Sequence, residues 1–157
     1  TEITQRLSAL APDKTEIFNA NLETFVVDLS TITEPARHID QSTTIAVSHD
    51  AFQYAFKMFG DPKVVTLSTA LAIAPSAQRV AEIDKSINKT KPACIVIDQT
   101  EPTALAEQFA EKFDIAPVQL SPIAADEGSF GNQYLDLMAS IVQGIDNCLS
   151  YQSPNSH

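Results

Sequence analysis

From Thr15 onward, Ile17, Phe18, Leu22, Phe25, Val26, Leu29 and Ile32 recur every three or four positions, the spacing of a long amphipathic helix. Thr15 reads as its cap, and Pro35 as the place near which it kinks or ends. Ahead of it, residues 2–10 read as the tail of an earlier helix, with Pro12 and Asp13 in the intervening turn. Beyond Ser42 the pattern changes to a short β-branched run over residues 43–47, as expected of a strand buried on both faces. That run stops at Ser48-His49-Asp50 and gives way to a helix over 51–59, with Phe52, Phe56 and Phe59 on one side and Gly60, Asp61 and Pro62 closing it. A second strand over 64–67 precedes a helix that Pro75-Ser76 opens and Val80, Ile83 and Ile87 stripe. A third strand over 93–97 leads to a helix capped by Thr103 that carries Leu105, Phe109 and Phe113. A fourth strand over 117–120 precedes a last helix over 134–149, lined by Leu137, Ile141, Ile145 and Cys148.

Strands that alternate with helices predict an α/β fold, a Rossmann-like parallel sheet of about four strands flanked by helices and preceded by a long linking helix. In such sheets ligands bind beyond the carboxyl ends of the strands. The residues that matter are therefore Ser48-His49-Asp50, Ser68-Thr69, Asp98-Gln99 and Ser121-Pro122. At 157 residues, 44% of them hydrophobic, the chain suits one layered core. Repeats and low-complexity segments are absent from it.

Composition narrows the function. No apolar run approaches the roughly 20 residues that span a bilayer, and no basic segment followed by an apolar one marks the start. The opening at Thr1, without methionine and directly on helical material, fits a piece of something longer. A net charge of −10 opposes nucleic acid and anionic membrane surfaces, which demand basic patches. It favours cations, although the spread of the carboxylates along the chain reads first as a solubility feature. Cys94 and Cys148 are the only cysteines and lack CxxC spacing, which excludes a zinc finger. As a pair they read as free thiols in a reducing compartment or as a cross-link in an oxidising one, provided that their elements are neighbours. The four glycines leave room for neither GxGxxG nor GxxxxGK[ST], so nucleotide cofactors are disfavoured.

His49 is the sharpest chemical candidate. It stands at a strand tip, where a side chain faces a cleft, and neutral imidazole is a favoured zinc ligand; the plain alternative is a hydrogen-bonded surface histidine. One donor does not hold zinc, which takes about four. His38 falls near the end of the long helix and His157 is the last residue, so neither supplies a second. Asp50 is either the cap of the following helix or an acceptor that orients a metal-bound imidazole. His49, Asp50 and Ser48 or Ser121 evoke a hydrolytic triad, but adjacent residues diverge in direction and no GxSxG elbow is present. Residues 124–132, with Asp126, Glu127, Gly128 and Gly131, read as a surface loop whose carboxylates solvate the turn.

The string VSHDAFQYAFKMFG at residues 47–60 resembles the hallmark of the cluster A-I metal-binding family, the lipoproteins and periplasmic proteins that include the binding protein of the zinc ABC transporter. Other segments resemble the same family in order. Ala11-Pro12-Asp13 and Asn21-Leu22-Glu23-Thr24-Phe25 match its backbone helix, and Pro75-Ser76-Ala77 with Ala81-Glu82-Ile83 its middle helix. Cys94-Ile95-Val96-Ile97-Asp98 matches a strand that usually ends in an acidic residue and proline. Leu120-Ser121-Pro122 and Tyr134-Leu135-Asp136-Leu137-Met138 match the last turn and helix.

The resemblance implies two α/β lobes, joined by a rigid helix, that close on a divalent cation. Residues 1–40 would be the end of the N-terminal lobe and the backbone helix, and residues 41–157 the C-terminal metal-binding lobe. His49 matches the C-lobe metal ligand, and histidine there resembles the zinc branch, whereas manganese-preferring relatives commonly carry a carboxylate. The aspartate that many relatives place in the final turn is Ser121 here, and Gln99 stands where proline is usual. Water or an acidic group of the N-terminal lobe would then complete the shell. Cys94 and Cys148 match the disulfide of zinc-type members, and a strand and a last helix are elements that can pack together. The implied function is capture of Zn2+ as the transported ligand in the periplasm and delivery to the inner-membrane permease of an ABC transporter. The N-terminal lobe is a partner, and no enzymatic turnover is expected. The rival readings are a small α/β enzyme with His49 as base and Ser121 as nucleophile, and a metal-independent interaction domain.

Overall fold

The computed structural model describes residues 1–68, 76–124 and 132–150, apart from the side chain of His38. Two helices lead the chain, α1 (Glu2–Leu10) and α2 (Thr15–Thr33), with a 3-10 turn at Pro12–Lys14 between them. Proline suits that turn because its φ is preset and the first turn needs no N–H donor. Helix α2 begins at Thr15 itself, with Lys14 in the capping position and no side-chain cap bond, so the hydroxyl does not cap as the sequence suggests. Pro35 acts as expected: after Thr33 the chain tightens into a 3-10 turn, Glu34–His38. Thr33 is buried there, and its hydroxyl donates to the Leu29 carbonyl at 2.9 Å, so the helix end keeps its polar atoms satisfied.

Four parallel strands follow, β1 (Thr44–Val47), β2 (Lys63–Thr66), β3 (Cys94–Asp98) and β4 (Ala116–Leu120), in the order β2-β1-β3-β4. Helices α3 (Gln53–Met58), α4 (Ala77–Thr90) and α5 (Ala104–Phe113) fall between successive strands, and α6 (Gln133–Ser150) follows β4. The central strands β1 and β3 are buried at every position, whereas the edge strand β2 is partly open.

Strand alternation sends Ile45, Val47, Cys94 and Val96 to one face, where Phe52, Phe56 and Phe59 pack with Met138, Ile141 and Ile145 of α6. Ala46, Ile95 and Ile97 meet Ile83 and Ile87 of α4 and Phe109 of α5 on the other. Each such large side chain contributes about 1.5–3 kcal/mol on burial, which is what holds helices on both faces of the sheet, as the sequence predicts.

Local chemistry sets the boundaries. Ser76 caps α4 by accepting from the Arg79 backbone N–H at 3.2 Å. Thr103 occupies the capping position of α5 without a side-chain bond. Gly60 follows α3 at φ 99°, and a Cβ there would run into the Ile39 carbonyl, so the turn requires glycine. A disulfide joins Cys94 of β3 to Cys148 of α6, with Cα atoms 5.4 Å apart. The same helix approaches β4 at Gly144, which rests on the Leu120 side chain. No helix among the described residues is long and apolar enough to cross a membrane.

Candidate metal centre

The parallel register pairs Val47 with Val96, and continuing it by two residues brings His49 beside Asp98. Backbone and side-chain bonds enforce that continuation. The Ser48 N–H donates to the Val96 carbonyl at 2.9 Å, and the Asp98 N–H donates to the Ser48 hydroxyl at 3.0 Å. The Ala51 N–H then donates to the His49 carbonyl at 3.0 Å, turning the chain away from the sheet. Alternation along β3 puts Asp98 on the face of Cys94 and Val96, and His49 shares the parity of Ile45 and Val47, so both side chains leave the sheet on one side.

His49 Nε2 lies 3.4 Å from Asp98 Oδ2, with 22% of the imidazole side chain but only 1% of the carboxylate side chain accessible. Asp98 Oδ1 accepts from both the backbone N–H and the hydroxyl of Thr100, each at 2.7 Å, which fixes the carboxylate plane. Asp98 Oδ2 and His49 Nδ1 are buried without hydrogen-bond partners among the described residues. The accessible part of the ring thus excludes Nδ1, and Nε2 is the nitrogen beside the carboxylate. At 3.4 Å the pair is wider than the roughly 2.7–2.9 Å of a charge-assisted N–H···O bond. A buried carboxylate oxygen without a donor is costly, and a cation or a further donor beside Oδ2 would remove that cost. Imidazole nitrogen and carboxylate oxygen are both zinc donors, so the pair suits a divalent cation. No group of three or more His, Cys, Asp or Glu side chains among the described residues could hold a metal; two donors fall short of the roughly four that zinc takes.

The other candidates separate from this pair. Asp50 is exposed, and α3 starts at Gln53 with Phe52 in the capping position, so Asp50 does not cap it. The Ser121 hydroxyl donates to the Ile123 carbonyl at 2.8 Å and accepts from the Ile123 N–H at 3.1 Å, a local turn. It is not aimed at His49, as a nucleophile–base pair requires. Thr69, Asp126, Glu127, Gly128, Gly131, His157 and the His38 side chain lie outside the described residues. Asp98 stands among the strand-end residues that the sequence marks for attention, but only the register singles it out. Pairing the runs 43–47 and 93–97 as neighbours would have found it.

Known proteins agree with this architecture. The chain is 24% identical over 158 residues to the zinc-binding lipoprotein AdcA of Streptococcus pneumoniae, covering 97% of this chain and 32% of that protein. It is 24% identical over 156 residues to the high-affinity zinc uptake system protein ZnuA of Haemophilus influenzae, covering 95% of this chain and 45% of that protein. It therefore spans about a third to just under half of these relatives. Among solved structures, the laminin-binding protein Lbp of Streptococcus pyogenes superposes with a TM-score of 0.76 at 22% identity, covering 94% of this chain and 59% of that one. The periplasmic zinc-binding protein TroA of Treponema pallidum gives 0.71 at 20% identity, with 96% and 58% covered. At such identities the structures establish the shared fold alone. The model of one family, zinc-uptake complex component A periplasmic (ZnuA), matches residues 1–148, and the chain belongs to that family.

Proposed function

We propose that this chain is the C-terminal part of a receptor that captures zinc in the periplasm and hands it to the permease of an ABC-type importer, without turnover. In this reading residues 1–40 carry the link from an N-terminal lobe and residues 41–157 form one wall of the metal cleft. His49 supplies this wall's imidazole, and the remaining ligands come from the opposite lobe. Closure is then stabilised because donors on two walls grip one ion, and the permease reads the closed shape. The observation that carries the reading is the partly accessible imidazole at the carboxyl edge of the sheet, beside a buried carboxylate with an oxygen that has no partner among the described residues. An imidazole also suits a borderline metal better than a hard one.

The test is zinc affinity of the two-lobed receptor, measured by competition with a chelator, before and after His49→Ala. The expected result is a loss of at least about tenfold, the scale of even an outer-shell change at a metal site. Unchanged affinity would overturn the reading in favour of a domain in which His49 is incidental.

A further inference from the structure

We infer that Asp98 is a second metal donor of this lobe, binding the cation through Oδ2 alongside His49 Nε2; the inference rests on the receptor function proposed above. Two donors of one tetrahedral zinc, each at about 2.0–2.2 Å, stand roughly 3.3–3.5 Å apart. The observed 3.4 Å between Nε2 and Oδ2 is that edge, and it is too wide for a strong direct hydrogen bond.

The two oxygens of the carboxylate are differently engaged. Thr100 holds Oδ1 with two donors, while Oδ2 has none among the described residues. Such a division orients one oxygen rigidly and leaves the other for a ligand, the part that outer partners play for a coordinating carboxylate. Asp98 sits at the end of β3 with its N–H bound to Ser48 Oγ, and Ser48 directly precedes His49, so the same short segment positions both donors. The Ser121 hydroxyl is occupied with Ile123 and brings no charge. A carboxylate from β3 gives this wall the anionic donor that its last turn lacks. The wall then contributes one neutral and one negative ligand, and an N-terminal lobe need supply only the rest of the shell.

The experiment uses the two-lobed receptor loaded with zinc alone. Its crystal structure is expected to show Asp98 Oδ2 at about 2.0–2.2 Å from the metal. Asp98→Asn, checked for an unchanged unfolding midpoint, is expected to weaken zinc at least tenfold, with Asp98→Glu recovering part of the loss. An Oδ2 more than about 3 Å from the zinc and hydrogen-bonded to an Nε2–H would overturn the inference, because Asp98 would then only orient the ring. So would an Asp98→Asn receptor that folds and keeps its affinity within twofold. His49→Ala separates the two claims: if it too leaves affinity unchanged, the receptor reading fails, and if it weakens zinc while Asp98 stays off the metal, only the present inference fails.

Discussion

Gly144 on α6 lies so close to the Leu120 side chain on β4 that a methyl group has no room between them. Leu120 is itself buried, at 4% exposure, so it has little freedom to withdraw. Glycine inside a helix ordinarily weakens it by about 1 kcal/mol relative to alanine, yet overpacking a filled core costs about 1–3 kcal/mol. Gly144→Ala is therefore expected to destabilise the protein by up to about 2 kcal/mol once the helix gain is set against the overpacking, read as a lowered urea midpoint with an unchanged slope.

Ser48 ties the two central strands together at the candidate site. Ser48→Ala would leave the buried Asp98 N–H without its acceptor, a loss of about 1–3 kcal/mol. Because that bond also sets where Asp98 stands, the receptor proposed above is expected to bind zinc several-fold more weakly. Thr100→Val, which removes the hydroxyl but keeps the backbone donor to Oδ1, is expected to fall between wild type and Ser48→Ala in affinity. Chelator competition and thermal unfolding on the same samples check both effects.

The disulfide between Cys94 and Cys148 closes a segment with a sequence separation of 54 residues. The chain-entropy account gives such a loop about 4 kcal/mol of stabilisation at 25 °C. Replacing both cysteines by alanine is expected to lower the unfolding free energy by up to that amount. A reductant is expected to do the same to the native chain and to leave the double variant unchanged.

Asp40 offers a test of pH linkage away from the candidate site. The Ser42 backbone N–H, which donates to its carboxylate at 2.7 Å, and then the Ser42 side chain hold it below its ordinary value, with Lys63 assisting. A carboxylate depressed on folding stabilises the folded state above the unfolded-state value, and that stabilisation is lost as pH falls through the folded-state value. The gap in urea midpoint between the native chain and Asp40→Asn is thus expected to be full at neutral pH and to close in acid, below the ordinary aspartate range. Asp40 is exposed, so the gap is small and its pH dependence is the informative quantity.

The fold was legible in the sequence where periodicity is strong. The stripe Ile17 to Ile32 marked α2, the β-branched runs marked the central strands, and Pro35 and Gly60 marked two ends for the physical reasons that the structure displays. Caps were less legible, because Thr15 and Thr103 are the right residue types but their hydroxyls make no cap bonds. Asp50 failed as a cap because the chain makes a turn after His49 before α3 starts. At the candidate site, the position of His49 just after a strand was legible. Asp98 required knowing that β1 and β3 are neighbours and in which register, and composition does not carry that.

The rungs between β1 and β3 hold His49 and Asp98 as parts of a single rigid plate, so thermal motion carries the two side chains together more readily than it separates them. An ion seated on such a plate meets groups whose spacing was paid for when the chain folded, and little ordering remains to be done at capture. In a receptor built this way, letting go of the ion is the task of the opposing wall: release follows its retreat, and changes there would govern the off-rate.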